Sequence, residues 1–340
     1  MNIQLFPRQL HFKQPAGTSR GTYMTRDVWY IHLTSDEFPG RVGIGECAPL
    51  PQLSCDDIAD YPSILSRVCR QVAADGCIDT ESLRNYPSIL FGLETAFRHL
   101  QTGSYAFWDT PFARGEAGIP INGLIWMGDY KKMLQQIETK MQTGYRCIKL
   151  KIGAINFDDE LALLQHIRAH FSVNEIELRV DANGAFSPED AMDKLNRLAE
   201  LDLHSIEQPI RAGQWEAMAQ LTAETPLPIV LDEELIPCTS LAEKRRMLDC
   251  ICPQYIILKP SLHGGMMGGS EWIAEANQRN IGWWITSALE SNVGLNAIAQ
   301  WCATFDTPLP QGLGTGALFT DNVEMPLEIR KDCLWYLPGR

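Results

Sequence analysis

Positive charge is scarce in this chain. Its 340 residues carry 29 Lys and Arg against 42 Asp and Glu, a formal net charge of −13. That shortfall excludes nonspecific binding to nucleic acid or to an anionic membrane, because phosphates must be neutralised by Lys and Arg. No block of five or more like charges offers a local exception. No apolar run approaches the roughly 18 residues that a spanning helix needs. The stretch MNIQLFPRQLHF has no apolar segment of a secretory signal, so a cytoplasmic location is expected. The ten cysteines are scattered, and Cys250 and Cys252 have no second pair at zinc spacing. Reduced thiols, not a disulfide framework, are expected. No G-x-G-x-x-G follows any apolar run, which disfavours an open dinucleotide-binding sheet.

What remains is an ordinary globular composition, 45% hydrophobic and 21% charged, in a length suited to about two domains. Residues 28–33 and 41–46 are rich in strand formers and flank the turn signal Phe38-Pro39-Gly40, which predicts an antiparallel hairpin. Helices are expected near 56–74 and 87–101. A stretch rich in Gly, Pro and aromatics at 102–119 then marks a boundary. Beyond it, short apolar runs at 121–127, 147–152, 176–180, 205–208, 228–231, 255–258 and 283–286 alternate with amphipathic stretches such as 129–142, 159–171, 188–200 and 270–279. Ser187-Pro188-Glu189-Asp190 is a strong helix start. The alternation predicts an α/β fold, a (β/α)7β barrel over 111–320, preceded by an α+β capping domain over 1–110. The last residues, 321–340, are expected to return to the capping domain as a further strand.

Polar residues recur where these runs end: Lys149 and Lys151, Asp181 and Asn183, Glu207, Asp232 and Glu233, Lys259, then Ser287, Glu290 and Ser291. In a barrel those ends converge on one mouth, where active sites form. Asp181, Glu207 and Asp232 are spaced 26 and 25 residues apart. Isolated, each is an unremarkable cap; together at strand ends they need a partner, since buried carboxylates are costly alone. A hard divalent cation, Mg²⁺ with Mn²⁺ as a substitute, suits three oxygen donors. Lys149 and Lys151 lie two apart on one strand and share a face. Ile148, Leu150 and Ile152 alternate with them toward the helices. Arg179 shares the strand face of Asp181 and is a candidate for the site or for a structural ion pair.

These segments resemble the enolase superfamily and, within it, the muconate-lactonizing subgroup. The matching segments are GIGECAPLP (43–51), CIKLKIG (147–153), LRVDANGAF (178–186), IEQPI (206–210), LDEEL (231–235), ILKPS (257–261) and TSALESNVGL (286–295). The resemblance implies a capping domain on a (β/α)7β barrel, Mg²⁺ held by Asp181, Glu207 and Asp232, and a pair of catalytic lysines. The second lysine of K-x-K, here Lys151, is then the base; Lys259 lies on the opposite face, with Lys149 beside the base. A Lys or His base working with Mg²⁺ is the superfamily's general scheme, not a deduction from spacing. The branch it resembles most makes 2-succinylbenzoate by dehydration for menaquinone biosynthesis. A loop like Thr18-Ser19-Arg20-Gly21 closes the mouth in this family, so Ser19 and Arg20 are candidate substrate contacts, with Arg179, Asn183, Ser287, Ser291 and Gly314. Where the subgroup's dipeptide epimerases carry Asp-x-Asp, this chain reads Gly314-Thr315-Gly316, which argues against an epimerase. Racemases and epimerases on the same frame stay open as the alternative, and a non-catalytic barrel is disfavoured by the intact Lys–Asp–Glu–Asp–Lys order. The expected partner is a small carboxylate, with no nucleic acid and no membrane.

Overall fold

The computed structural model describes residues 1–18 and 21–339. A long antiparallel hairpin of β1 (Asn2–Thr18) and β2 (Gly21–Thr34) opens the chain, and β3 (Gly43–Cys47) adds to β2 antiparallel. Side chains alternate across a strand, and β2 uses both faces. Ile31 and Leu33 pack with α1 (Tyr61–Asp75) and α2 (Pro87–Thr102), while Val28 and Tyr30 pack on the other side with Leu262, Ala288 and Leu289 of the barrel. Two glycines of β3 let α2 lie directly on the strand. A Cβ on Gly43 or Gly45 would sit 2.0 Å from Ala96 O or 1.9 Å from Gly92 O.

After β4 (Ile119–Pro120), seven parallel strands follow: β5 (Gly123–Ile125), β6 (Cys147–Lys151), β7 (Glu177–Asp181), β8 (Ser205–Glu207), β9 (Ile229–Leu231), β10 (Tyr255–Leu258) and β11 (Gly282–Ile285). They pair in sequence order, β5 to β11, in one sheet. Between them run α3 (Tyr130–Thr143), α4 (Phe157–His170), α5 (Pro188–Ala199), α6 (Trp215–Glu224), α7 (Leu241–Ile251) and α8 (Gly265–Gln278); α9 (Asn292–Cys302) follows β11. The ring closes through a short eighth segment: Gln311 bridges Ile121 and Gly312 bridges Thr286, both parallel. Ile148, Leu150 and Ile152 are fully buried in the layer between strands and helices, as the alternation predicts. Ser187 caps α5 in a reciprocal capping box with Asp190. The (β/α)7β barrel with an α+β region over it is thus the architecture.

The expected return of 321–340 to the capping domain is seen at its start only, where Asp321 Oδ1 accepts the His11 N–H (2.9 Å) and Val323 and Met325 pack on the cluster that holds Leu10 and Tyr30. Residues 318–320 do reach the N-terminal sheet, with Lys13 N donating to Leu318 O (2.8 Å) and Thr320 N to His11 O (2.9 Å). The final hairpin, β12 (Leu327–Arg330) and β13 (Cys333–Tyr336), does not return there; it pairs with β4. Leu334 and Tyr336, two apart on β13, bury into the barrel's core, and that apolar face sets the docking. All ten cysteines are free, with Cys55, Cys77, Cys250 and Cys252 exposed. No helix among the described residues is long and apolar enough to cross a membrane.

Candidate active site

Register assembles the site. In the barrel, Lys149 pairs with Arg179, Lys151 with Asp181, and Asp181 with Glu207. One layer of side chains therefore lies at the mouth and another below it. Lys149 Nζ donates to Glu207 Oε2 (2.6 Å) and Asp181 Oδ2 (3.2 Å). Lys151 Nζ donates to Asn183 Oδ1 (2.8 Å) and stands 3.2 Å from Asp181 Oδ2. Across the mouth, Lys259 donates to Asp232 Oδ2. β6 and the end of β10 are four strands apart in the ring, so Lys151 and Lys259 flank the acids from opposite sides.

The charges are buried and mutually dependent. Burial by itself would raise Asp181 and Asp232. Lys149 and Lys151 more than reverse this for Asp181, and Lys259 does so for Asp232, so both carboxyls lie below their usual range. Glu207 goes the other way, pushed up to about 8 by burial and then by Asp181. Glu233 is pushed up to about 7, again by burial and then by Asp232. Burial opposes the charge on Lys259, but Asp232 and Glu207 outweigh it and hold it cationic. Carboxyl oxygens are in excess here: Asp232 Oδ1 and Glu233 Oε2 are buried without a hydrogen-bond partner. The oxygen donors of Asp181, Glu207 and Asp232 are thus suited to a hard cation. Among the described residues no three such side chains already stand in a metal-holding arrangement; the lysines engage one oxygen of each of Asp181, Glu207 and Asp232.

Loops behind the strand ends fix these side chains. Asn183 sits at φ 45°, which Asn tolerates better than most residues. Its Nδ2 donates to Glu233 Oε1 (3.2 Å), leaving Oδ1 toward Lys151. Gln208 accepts the Asp232 N–H at Oε1 (3.3 Å). His263 Nδ1 accepts the Lys259 N–H (3.0 Å), and burial pushes its imidazole down to about 3. His263 is therefore a neutral brace of the loop.

A cavity of about 320 Å³ lies over this cluster, lined by Lys149, Lys151, Asp181, Asn183, Glu207, Asp232, Lys259, Ser287 and Gly314. Ser287 Oγ and Thr315 Oγ1 are 2.6 Å apart in its wall. Leu50 and Leu53 close it from the N-terminal region. Two expected contacts lie elsewhere. Arg179 is one layer too deep: it pairs with Glu177 (2.7 Å), donates to Pro310 O (2.9 Å) and stacks 4.1 Å over Trp284. Ser291 caps α9 and is held by Glu46 behind the wall. Ser19 and Arg20 fall outside the described residues. Glu233, placed at the mouth but given no role, lines the cavity, as do Trp126 and Lys140, which the sequence did not single out. Only Glu233 carried a signal, directly after Asp232; the others depend on how α3 folds over β5.

Comparison with known proteins identifies the family. Residues 132–337 match the family described as enolase C-terminal domain-like, and residues 2–100 match the MenC N-terminal domain. The o-succinylbenzoate synthase of Desulfotalea psychrophila is 46% identical, over 97% of each chain. The crystal structure of MenC from that organism superposes with a TM-score of 0.83 at 41% identity, covering 98% of this chain and 99% of that one. The muconate lactonizing enzyme of Pseudomonas fluorescens shares the fold at 21% identity and a TM-score of 0.81, over 99% of this chain and 94% of that one. The chain is an enzyme of the o-succinylbenzoate synthase family, within the enolase superfamily.

Proposed function

We propose that the enzyme carries out Mg²⁺-dependent syn dehydration of 2-succinyl-6-hydroxy-2,4-cyclohexadiene-1-carboxylate to 2-succinylbenzoate, with Lys151 as the base. The observation that carries this reading is the pair of lysines on opposite sides of a three-carboxylate cluster in one cavity. Asp181, Glu207 and Asp232 would hold the cation; when bound, it supplies the positive charge that stabilises the enediolate left by removing a proton next to a carboxylate. The unpartnered Asp232 Oδ1 fits that role.

Lys151 takes the proton from the carbon bearing the carboxylate, and the C–H electron pair moves into the enediolate. As the ring becomes aromatic the C–O bond breaks. The leaving hydroxide receives the proton back from Lys151 and departs as water, so a single lysine serves both halves on one face. Lys259 stays cationic opposite and supports the dianion. Asn183 aims Lys151, and Lys149 screens Asp181 from Glu207. The eighth segment offers Gly314 and Thr315 and no acid to hold a substrate ammonium, which favours the dehydratase over an epimerase.

The test is turnover of the cyclohexadiene substrate, followed by ultraviolet absorbance. Lys151→Ala is expected to lose activity by at least about a thousandfold with its circular dichroism unchanged. Robust turnover after exhaustive chelation, or by that variant, would refute the scheme.

A further inference from the structure

The reactive cavity does not end at the acid–lysine cluster. Toward α3 it meets an outer cleft, and the two share Trp126, Gln136, Lys140, Ala317 and Leu318 in their walls. The outer cleft is lined by Lys13, Lys132 and Lys140 and by no acid among the described residues. That is notable in a chain of net charge −13. Lys132 already stands 3.5 Å from Asp129 at the surface. Lys140 differs. It is half-buried in the last turn of α3, its Nζ lies 4.5 Å over the Tyr145 ring, and no carboxylate pairs with it among the described residues.

A partly desolvated ammonium without a counter-ion is unfavourable unless something anionic completes it. Burial alone already pulls its pKa down. The other three lysines of the cavity, Lys149, Lys151 and Lys259, each have an acid beside them. Resting on the reaction proposed above, the substrate carries two carboxylates. The one on the ring belongs at the reacting cluster, and the one ending the succinyl tail needs a cation of its own. We infer that the junction of cavity and cleft is the binding site for this distal carboxylate, with Lys140 as its direct partner and Lys13 and Lys132 marking the anion's entry path. Trp126 and Leu318 supply apolar walls for the tail's methylenes, and Gln136, which clamps Trp126 through both its amide atoms, keeps the wall in place.

The experiment measures binding of 2-succinylbenzoate to the Mg²⁺-loaded enzyme by calorimetry. Beside it runs the product's methyl ester at the tail carboxylate, which keeps the shape and removes the charge. Lys140→Met retains the aliphatic stem against Tyr145, and Lys140→Arg retains the charge. Lys140→Met is expected to weaken 2-succinylbenzoate about tenfold and leave the ester unchanged, with Lys140→Arg recovering most of the loss. In steady state the same variant should raise KM by a similar factor while kcat stays within about threefold. Equal weakening of both ligands, or no change for either, overturns the inference. Should the parent fail to turn over the cyclohexadiene while charge-dependent binding at Lys140 persists, the reaction assignment falls and the anion site stands. Normal turnover with Lys140→Met indistinguishable from the parent rejects the site alone.

Discussion

Asn183 holds the position on which the proposed base depends. Its left-handed backbone returns the side chain over the strand end, and its amide is used at both atoms, by Lys151 and by Glu233. Removing the amide frees the longest-reaching group of the site to sample other rotamers. Asn183→Ala is therefore expected to lower kcat by about ten- to a hundredfold with little change in the unfolding midpoint; a kcat equal to the parent's would show that Lys151 needs no such aim. Arg179 shows what strand periodicity leaves open at this scale. Alternation correctly assigns it the interior face shared with Asp181, but two residues of strand span about 7 Å. That distance separates the mouth from the floor, where Trp284 and the Pro310 carbonyl take up the guanidinium. Face is readable from a pattern of period two. Depth requires the register of the neighbouring strands.

Among the elements, two barrel helices depend on acids supplied from the N-terminal region. Glu46 of β3 accepts the Ser291 and Gly294 N–H groups at the start of α9, each at 2.8 Å. Glu94 of α2 accepts from Met267 N (3.0 Å) and from Met266 N at the start of α8. Both pairs of N–H groups are unsatisfied donors of a helix start, so the acid stabilises the helix and docks the two regions together. The segment GIGEC could be matched to a family, yet nothing in it announced a cap for a helix some 245 residues away. Glu94 gives a pH test. Burial pushes its carboxyl up to about 7 from an ordinary value of 4.5, so the folded state keeps a proton that the unfolded chain releases first. Its contribution to stability is then fully present below about 4.5 and is lost as pH rises toward 7. Glu94→Gln cannot ionise. Compared with the parent in urea denaturation, it should fare better at pH 7.5 than at pH 5, by on the order of 3 kcal/mol at most. A difference between the two proteins that does not change with pH would remove Glu94 as the cause.

At the scale of the whole molecule, the parallel strands were legible because each is a short apolar run ending in a polar residue. What escaped is β1 as an element and, for the expected strand at 333–336, the partner it pairs with. The first half of β1 pairs only with β2 and is largely exposed, so it shows no clean alternation. β13 docks on β4, two residues long, which carries no period at all. The acids at the mouth were legible as a set, while their balance of charge was not, since that depends on burial. The fold gathers Asp181, Glu207, Asp232 and Glu233 in one cavity against Lys149, Lys151 and Lys259, and burial, followed by the neighbouring aspartates, pushes Glu207 and Glu233 up toward neutrality. A site with surplus carboxylate oxygens in the folded state, and none assembled in the unfolded chain, links cation binding to folding. Saturating Mg²⁺ should accordingly raise the thermal midpoint of the parent, and at a hundredfold excess over Kd the stabilisation is about 2.7 kcal/mol. Asp181→Asn removes one proposed ligand's charge at the centre of the cluster, so its midpoint should respond to Mg²⁺ far less, whereas Asp158→Asn on the exposed start of α4 should respond like the parent. Scanning calorimetry with and without the ion reads this without any substrate. A parent indifferent to Mg²⁺, or an Asp181→Asn variant stabilised as strongly as the parent, would mean that these acids answer to the lysines alone.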